Sequence, residues 1–251
     1  VKRICDPHFG VGSDGVLLLR RLDGDPVAEL RNFNPDGSEA ELSGNGAREA
    51  ILYLRRHGWT DLDTFIIATA AGPIVPTITG ELTCTVEMGR ASTSSKDFPS
   101  GGEDGAGTLR AAGREWAFQH VSIGNPQCAI VVGEELDDLD LDGIGPQIEG
   151  HELFPNRTNV SFLAIDGSRV RARIFERGVG ETLSSGTGAA GAAVTAFLRG
   201  AASPIVVELE GGELEVEVGE DLAVRLSGWA EPVYSGELSP ELIEALSELE
   251  G

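Results

Sequence analysis

Slid against itself by 142 positions, the chain lays Arg31 on Arg173, Phe33 on Phe175, Glu39 on Glu181, Ser43 on Ser185, Gly44 on Gly186, Gly46 on Gly188, Ala47 on Ala189 and Ala50 on Ala192. Matches this dense within about twenty residues point to an internal duplication. Each copy reads as a strand, a glycine-containing loop, Ser-Gly-x-Gly-Ala and then a helix, so the chain has to build two similar halves. The expected division is 1–90 for the first half, 91–230 for the second, and 231–251 for a strand and helix tail that returns to the first. Packing about a pseudo-twofold axis would set the two helix starts face to face across a cleft. The same shift puts a Gly-Asn-bearing strand, the counterpart of Ser122 to Val132, roughly seventeen residues before Val1, so the first half is expected to be truncated.

Short β-rich runs bounded by Gly, Pro and Asp predict strands at 15–19, 64–70, 82–88, 128–132, 159–165, 169–175 and 213–218. Helices are expected from Gly44 to His57, stopped by Gly58, and from Gly186 to Arg199, stopped by Gly200. A last helix is signalled by Ser239 as N-cap, Pro240 in the first turn, and Leu242, Ile243, Leu246 and Leu249 at helical spacing. Ala91 to Gly113, rich in Gly and Ser, reads as a loop or interdomain connection. The opening residues read as the end of a helix.

The 251 residues carry 41 acidic and 19 basic side chains, a formal charge of -22. Such a surface repels phosphate backbones and anionic membranes, which argues against nucleic acid or a membrane as partner. Asp, Glu, Gly and Ala abound beside only two lysines, Lys2 and Lys96, a balance that fits a salty cytoplasm and equally a merely acidic mesophilic enzyme. Activity that peaks in low salt would count against the first. Cys5, Cys84 and Cys128 are too few and scattered for a disulfide framework and lack CxxC spacing, so reduced intracellular thiols are expected. His8, His57, His120 and His151 show no metal-ligand spacing and read as surface or structural residues.

Two glycines at a helix start leave backbone N–H groups open, and the helix dipole adds partial positive charge there. Such an end binds carboxylate or phosphate. Two ends aimed at one cleft would hold a small anion and place the residue before each glycine on opposite sides of it. That suits removal of a proton from one face of a carbon and delivery to the other, by one general base and one general acid. The blander reading makes Ser43 and Ser185 simple N-caps, and the duplication is what weighs against it. "GVGSDG" and "GTGAAG" match G-x-G-x-x-G, but the first leads into a strand and the second lacks a preceding strand, so a dinucleotide site is not expected. Neither serine sits in a G-x-S-x-G elbow.

"FGVGSDGVLLL", "FNPDGSEAELSGNGAREA", "GNPQCAIVV" and "ERGVGETLSSGTGAAGAA", in that order along nearly the whole chain, closely resemble diaminopimelate epimerase. The resemblance implies an α/β (α+β) fold of two pseudo-symmetric domains, each a mostly antiparallel sheet wrapped round a central helix. It implies a cytoplasmic isomerase, possessing neither pyridoxal phosphate nor metal, that interconverts LL- and meso-diaminopimelate for lysine and cell-wall synthesis. A homodimer is the oligomer it implies. The family's two catalytic cysteines fall at Ser43 and Ser185, and its histidine near the reacting carbon falls at Gln127. Glu176 matches the acidic residue beside the second cysteine. Asn34, Asn125, Asn159 and Arg177 match residues that hold the distal amino-acid end of the substrate, and Gly44, Asn45, Gly186 and Thr187 match the anion site for the reacting carboxylate.

The departures are chemical. A thiol ionises near about pH 8.5, lower at a helix N-terminus, whereas a serine hydroxyl yields almost no alkoxide unless a neighbouring base activates it. Three explanations stand open: serines introduced to give a quiet binding form, a natural homologue that binds amino acids without catalysis, or a slower isomerase in which Glu176 assists the serines. Gln127 lies outside a two-cysteine change, which favours natural divergence. The family activity, impaired by serine at both base positions, is the leading expectation; an isomerase acting on another amino acid is a further alternative.

Overall fold

The computed structural model describes residues 1–40 and 43–247. Contacts divide the chain into two units, one of residues 1–75, 80–82 and 230–251, the other of residues 76–79 and 83–229. In the first unit a short helix α1 (Lys2–Cys5) precedes β1 (Val16–Arg21), β2 (Ala28–Phe33) and β3 (Glu39–Ala40); α2 (Gly44–Arg56) and β4 (Ile67–Thr69) follow. The strand β2 is the axis of this sheet. It pairs antiparallel with β1 along one edge, while its other edge is shared by β3, antiparallel, and β4, parallel. Alternation along β1 and β2 turns Leu17, Leu19 and Leu30 to one face and Leu18, Arg20 and Arg31 to the other. The helix α2 buries Ala47, Ala50, Ile51 and Leu54, an apolar stripe at helical spacing.

The second unit begins with β5 (Pro76–Ile78) and β6 (Thr83–Arg90), then β7 (Ala106–Ala111), β8 (Arg114–Ser122) and β9 (Pro126–Val131). A 3-10 turn at Gly133–Asp138 and helix α3 (Leu141–Glu149) lead to β10 (Asn159–Asp166), β11 (Arg169–Glu176) and β12 (Gly180–Thr182). Helix α4 (Gly186–Leu198) and strands β13 (Ile205–Leu209), β14 (Gly212–Val218) and β15 (Ala223–Trp229) complete it. Its sheet is ordered β5-β6-β15-β14-β13-β11-β10-β9-β8-β7, with β12 added to β11. Only β9·β10 and β11·β13 are parallel. The fold is thus mixed α+β with mostly antiparallel sheets. A last helix, α5 (Pro240–Ser247), has Ser239 accepting the Leu242 N–H at 3.2 Å as the expected cap; Leu249 lies outside the described residues.

The helix α4 is buried along nearly its whole length, from Gly186 to Ala196, and it is apolar all round because sheet surrounds it. Val121, Leu163, Ile174, Ile205, Val216 and Leu226 pack about it. A second core, on the other face of β8 to β11, joins Trp116, Phe118, Ile130, Phe162 and Phe175 to α3. The helix α3 contains Gly143, Gly145 and Pro146, is capped by Asp140, and needs Gly145 because a Cβ there would stand 2.5 Å from the Phe175 ring. The loop expected from Ala91 to Gly113 holds over residues 91–105 and is corrected over 106–111. Residues 106–111 form β7, and Ser92 bridges to Ser122, because Gly107 makes room for the Phe118 ring within a strand rather than marking a turn. All three cysteines are buried, and burial pushes the Cys128 thiol well above its ordinary value. Among the described residues no helix is long and apolar enough to cross a membrane.

Candidate active site

Ser185 opens α4 with extended backbone, φ -144° and ψ 117°, and its Oγ accepts the Gly188 N–H at 3.2 Å. Ser43 opens α2 in the same way, φ -113° and ψ 129°, with the Gly46 N–H at 3.2 Å. Each hydroxyl oxygen is therefore drawn against the free N–H groups and positive end of a helix, the local environment that most favours negative charge on it. The glycines are required by neighbours as much as by the cap. A Cβ on Gly188 would stand 2.5 Å from Ile174 Cδ1 and 3.0 Å from Ser185 Oγ, and one on Gly46 would stand 2.7 Å from Leu17 Cδ2.

In the second unit the expected residues are joined by hydrogen bonds. Ser185, 3% exposed, stands beside the Glu176 carboxylate at the end of β11. Burial raises the Glu176 carboxyl above its ordinary value, and the neighbouring Ser185 hydroxyl pulls it partly back. The result is a more basic carboxylate beside a hydroxyl. Gln127, wholly buried, donates through Nε2 to Asn125 Oδ1 at 2.8 Å, and Asn125 Nδ2 donates to Thr187 Oγ1 at 3.1 Å beside Gly186. Gln127 carries no titratable proton; here it orients Asn125 at the helix start. A Cβ on Gly191 would stand 2.9 Å from Gln127 Cγ, so that glycine is what lets the amide lie against the helix.

Asn159 and Arg177 meet through the backbone. Asn159 Oδ1 accepts the Arg177 N–H at 2.8 Å, and the Arg177 guanidinium donates through Nη1 to the Asn156 carbonyl at 2.9 Å. In the first unit Asn45 Oδ1 accepts from Arg48 Nη2 at 2.7 Å, and Arg48 also donates to the Gly44 carbonyl at 3.2 Å. Asn34 belongs to a separate turn, donating to Ser38 Oγ at 3.0 Å. Of the four histidines, His120 is buried with Nε2 at 2.9 Å from Ser95 Oγ.

The sequence did not single out Arg48, Asn156 or Glu149. Glu149 is 3% exposed; its Oε1 accepts the Gly178 N–H at 2.7 Å and pairs with Arg157 at 2.7 Å. It thereby holds the turn that carries Glu176 and Arg177. Only Arg48 left a trace, as an arginine three residues after Asn45 in an otherwise small and apolar helix face.

Comparison with known proteins follows the same lines. The family profile described as diaminopimelate epimerase matches residues 1–94 and 119–228. The chain is 38% identical over 244 residues to a diaminopimelate epimerase of Pelotomaculum thermopropionicum, covering 94% of this chain and 86% of that one. It is 42% identical over 246 residues to a diaminopimelate epimerase of Synechococcus sp. (strain JA-3-3Ab), covering 93% and 86%. Among solved structures, a probable proline racemase from Agrobacterium radiobacter K84 with bound carbonate superimposes with a TM-score of 0.64 at 17% identity, over 95% of this chain and 81% of that one. A hydroxyproline epimerase from Agrobacterium vitis with bound trans-4-hydroxy-L-proline gives 0.62 at 16%, over 91% and 76%. These two share the fold.

Proposed function

The chain belongs to the diaminopimelate epimerase family, and from that premise we propose that it inverts the α-carbon of diaminopimelate, LL to meso, by proton removal on one face and proton return on the other. The reading makes it a slow member of an isomerase family. Ser43 and Ser185 are assigned to the two base positions, and the observation that carries the proposal is that each serine oxygen sits 3.2 Å from a backbone N–H at its helix start, with half-buried Glu176 beside Ser185. In one direction the Ser185 oxygen takes the α-proton as its own proton passes to Glu176, whose raised affinity for protons favours that transfer. The Gly188 N–H supports the charge that develops on the oxygen. Ser43, under the Gly46 N–H, is the proton donor of that direction and the base of the reverse one.

The substrate's reacting carboxylate is assigned to the backbone of Gly44, Asn45, Gly186 and Thr187, and its distal amino-acid end to Asn34, Asn125, Asn159 and Arg177, where a guanidinium suits a carboxylate. Gln127 serves by orienting Asn125. The reading includes a cytoplasmic setting and a homodimer, the latter checked by sedimentation. A second reading, an amino-acid-binding homologue without turnover, is favoured by the Gln127–Asn125–Thr187 chain, which keeps a binding arrangement where the thiols are gone. Incubation with LL-diaminopimelate in heavy water separates the two. Slow deuterium entry at the α-carbon supports the isomerase, and intact binding without exchange leaves only the binding protein.

A further inference from the structure

The same ion pair occurs once in each unit at the same distance from the candidate base. Arg173 Nε and Nη2 meet Glu181 Oε1 and Oε2 at 2.8 and 3.0 Å, and Arg31 Nε and Nη2 meet Glu39 Oε1 and Oε2 at 2.9 and 2.7 Å. Both are two-pronged, and both glutamates stand four residues before the serine that caps the helix. The strand that bears Glu181 is very short: β12 has three residues. So few ladder bonds hold weakly the segment that delivers the serine.

The pair grips the sheet from the face away from the helix. On β11 the side chains of Ile174 and Glu176 reach α4, at Gly188 and Ser185, so Arg173 and Phe175 point the other way. Glu181 lies opposite Phe175 in the register, as Glu39 lies opposite Phe33. Arg173 is further fixed by donating through Nη1 to the carbonyls of Leu136 and Leu139, at 3.1 and 2.9 Å. From that fixed point the chain has four residues, at most about 13 Å of extended backbone, in which to reach the cap.

We propose that Arg173–Glu181 and Arg31–Glu39 are positioning pairs: each sets the place of the serine oxygen, Ser185 or Ser43, against its helix N-terminus. This rests on the two serines being the reacting positions, but its test does not need turnover. In a Ser185→Cys background the introduced thiol reports its own placement, because a helix N-terminus lowers a thiol's pKa. Thiolate absorbance is followed against pH, with the parent protein subtracted, and Glu181→Ala is then added. Removing a negative charge nearby would by itself lower the thiol's pKa, whereas loss of placement against the helix raises it. The sign decides. A rise of about one unit, tenfold less thiolate below the pKa, is expected.

An unchanged or lowered pKa, with only Tm reduced, would make the pair a stability element and overturn the proposal. Glu181→Gln, which keeps one acceptor for Arg173, gives a smaller rise of the same sign and decides the matter if the alanine variant does not fold. The corresponding measurement in the first unit is Ser43→Cys with Glu39→Ala. A failure of isotope exchange from diaminopimelate would count against the functional reading and leave this result standing.

Discussion

Replacing both serines with cysteine, Ser43→Cys/Ser185→Cys, is expected to accelerate α-proton exchange from diaminopimelate by about three orders of magnitude. A thiol ionises at about 8.5 and an alcohol, taking water as guide, roughly seven units higher. The scarce alkoxide is the stronger base, and with a Brønsted slope of about 0.5 half of the gap is returned. The remaining three and a half units are about 3000-fold in rate, or ~5 kcal/mol of barrier. The structure leaves the sites ready for sulfur. Each cap position already receives a helix N–H at 3.2 Å, and Gly188 leaves open the space beside Ser185 that a Cβ would fill 3.0 Å from its oxygen. Glu176, with its carboxyl raised by burial, can stay protonated beside a thiolate more readily than an ordinary glutamate. The assay is deuterium incorporation in heavy water at saturating diaminopimelate, with binding measured separately. Exchange within tenfold of the parent, at unchanged affinity, would refute the assignment of the two base positions.

Glu176→Gln should change how stability depends on pH. A carboxyl raised in the folded state favours the protonated form, so the parent's stability falls as pH climbs past 4.5 and through the folded value, a loss the amide escapes. Urea unfolding over a pH series should therefore show the variant gaining on the parent toward neutral pH; a flat difference would contradict it. Gly191→Ala pushes a methyl to 2.9 Å from Gln127 Cγ, costing about 1–3 kcal/mol by overpacking, and should weaken diaminopimelate affinity through Asn125. Equal losses of Tm without any change in affinity would break that link. Phe162→Ala, at a fully buried ring between Trp116 and α3's core, should cost about 3–5 kcal/mol by denaturant unfolding, and a cost under about 1 kcal/mol would mean that core is not packed as described.

Several elements were legible because their determinants are close in sequence. The helices at 44–56 and 186–198 begin at serine caps and stop near Gly58 and Gly200, and strands such as 159–166 and 169–176 follow apolar alternation. The loop reading at 106–111 and the lack of any reading at 141–149 share one cause. Gly107 and Gly145 look like turn or breaker residues, yet each is a place where an aromatic ring from another strand crosses the backbone. Composition cannot tell a glycine that bends the chain from one that admits Phe118 or Phe175. Strand β8 was missed although Trp116, Phe118 and His120 alternate inward within it.

At the candidate site the division is the same. The sequence by itself determined the two capped helix starts, the serines that occupy them, and the recurrence of Arg31 and Glu39 as Arg173 and Glu181, because capping and short-range spacing act over a few positions. Only the tertiary structure decided that Glu176 stands beside Ser185 and is made more basic by burial, that Gln127 is sealed beneath α4 as a support for Asn125, and that Glu149 holds the Arg177 turn. Those depend on which surfaces are removed from water together, and desolvation is a property of the packed neighbours rather than of the residue that feels it.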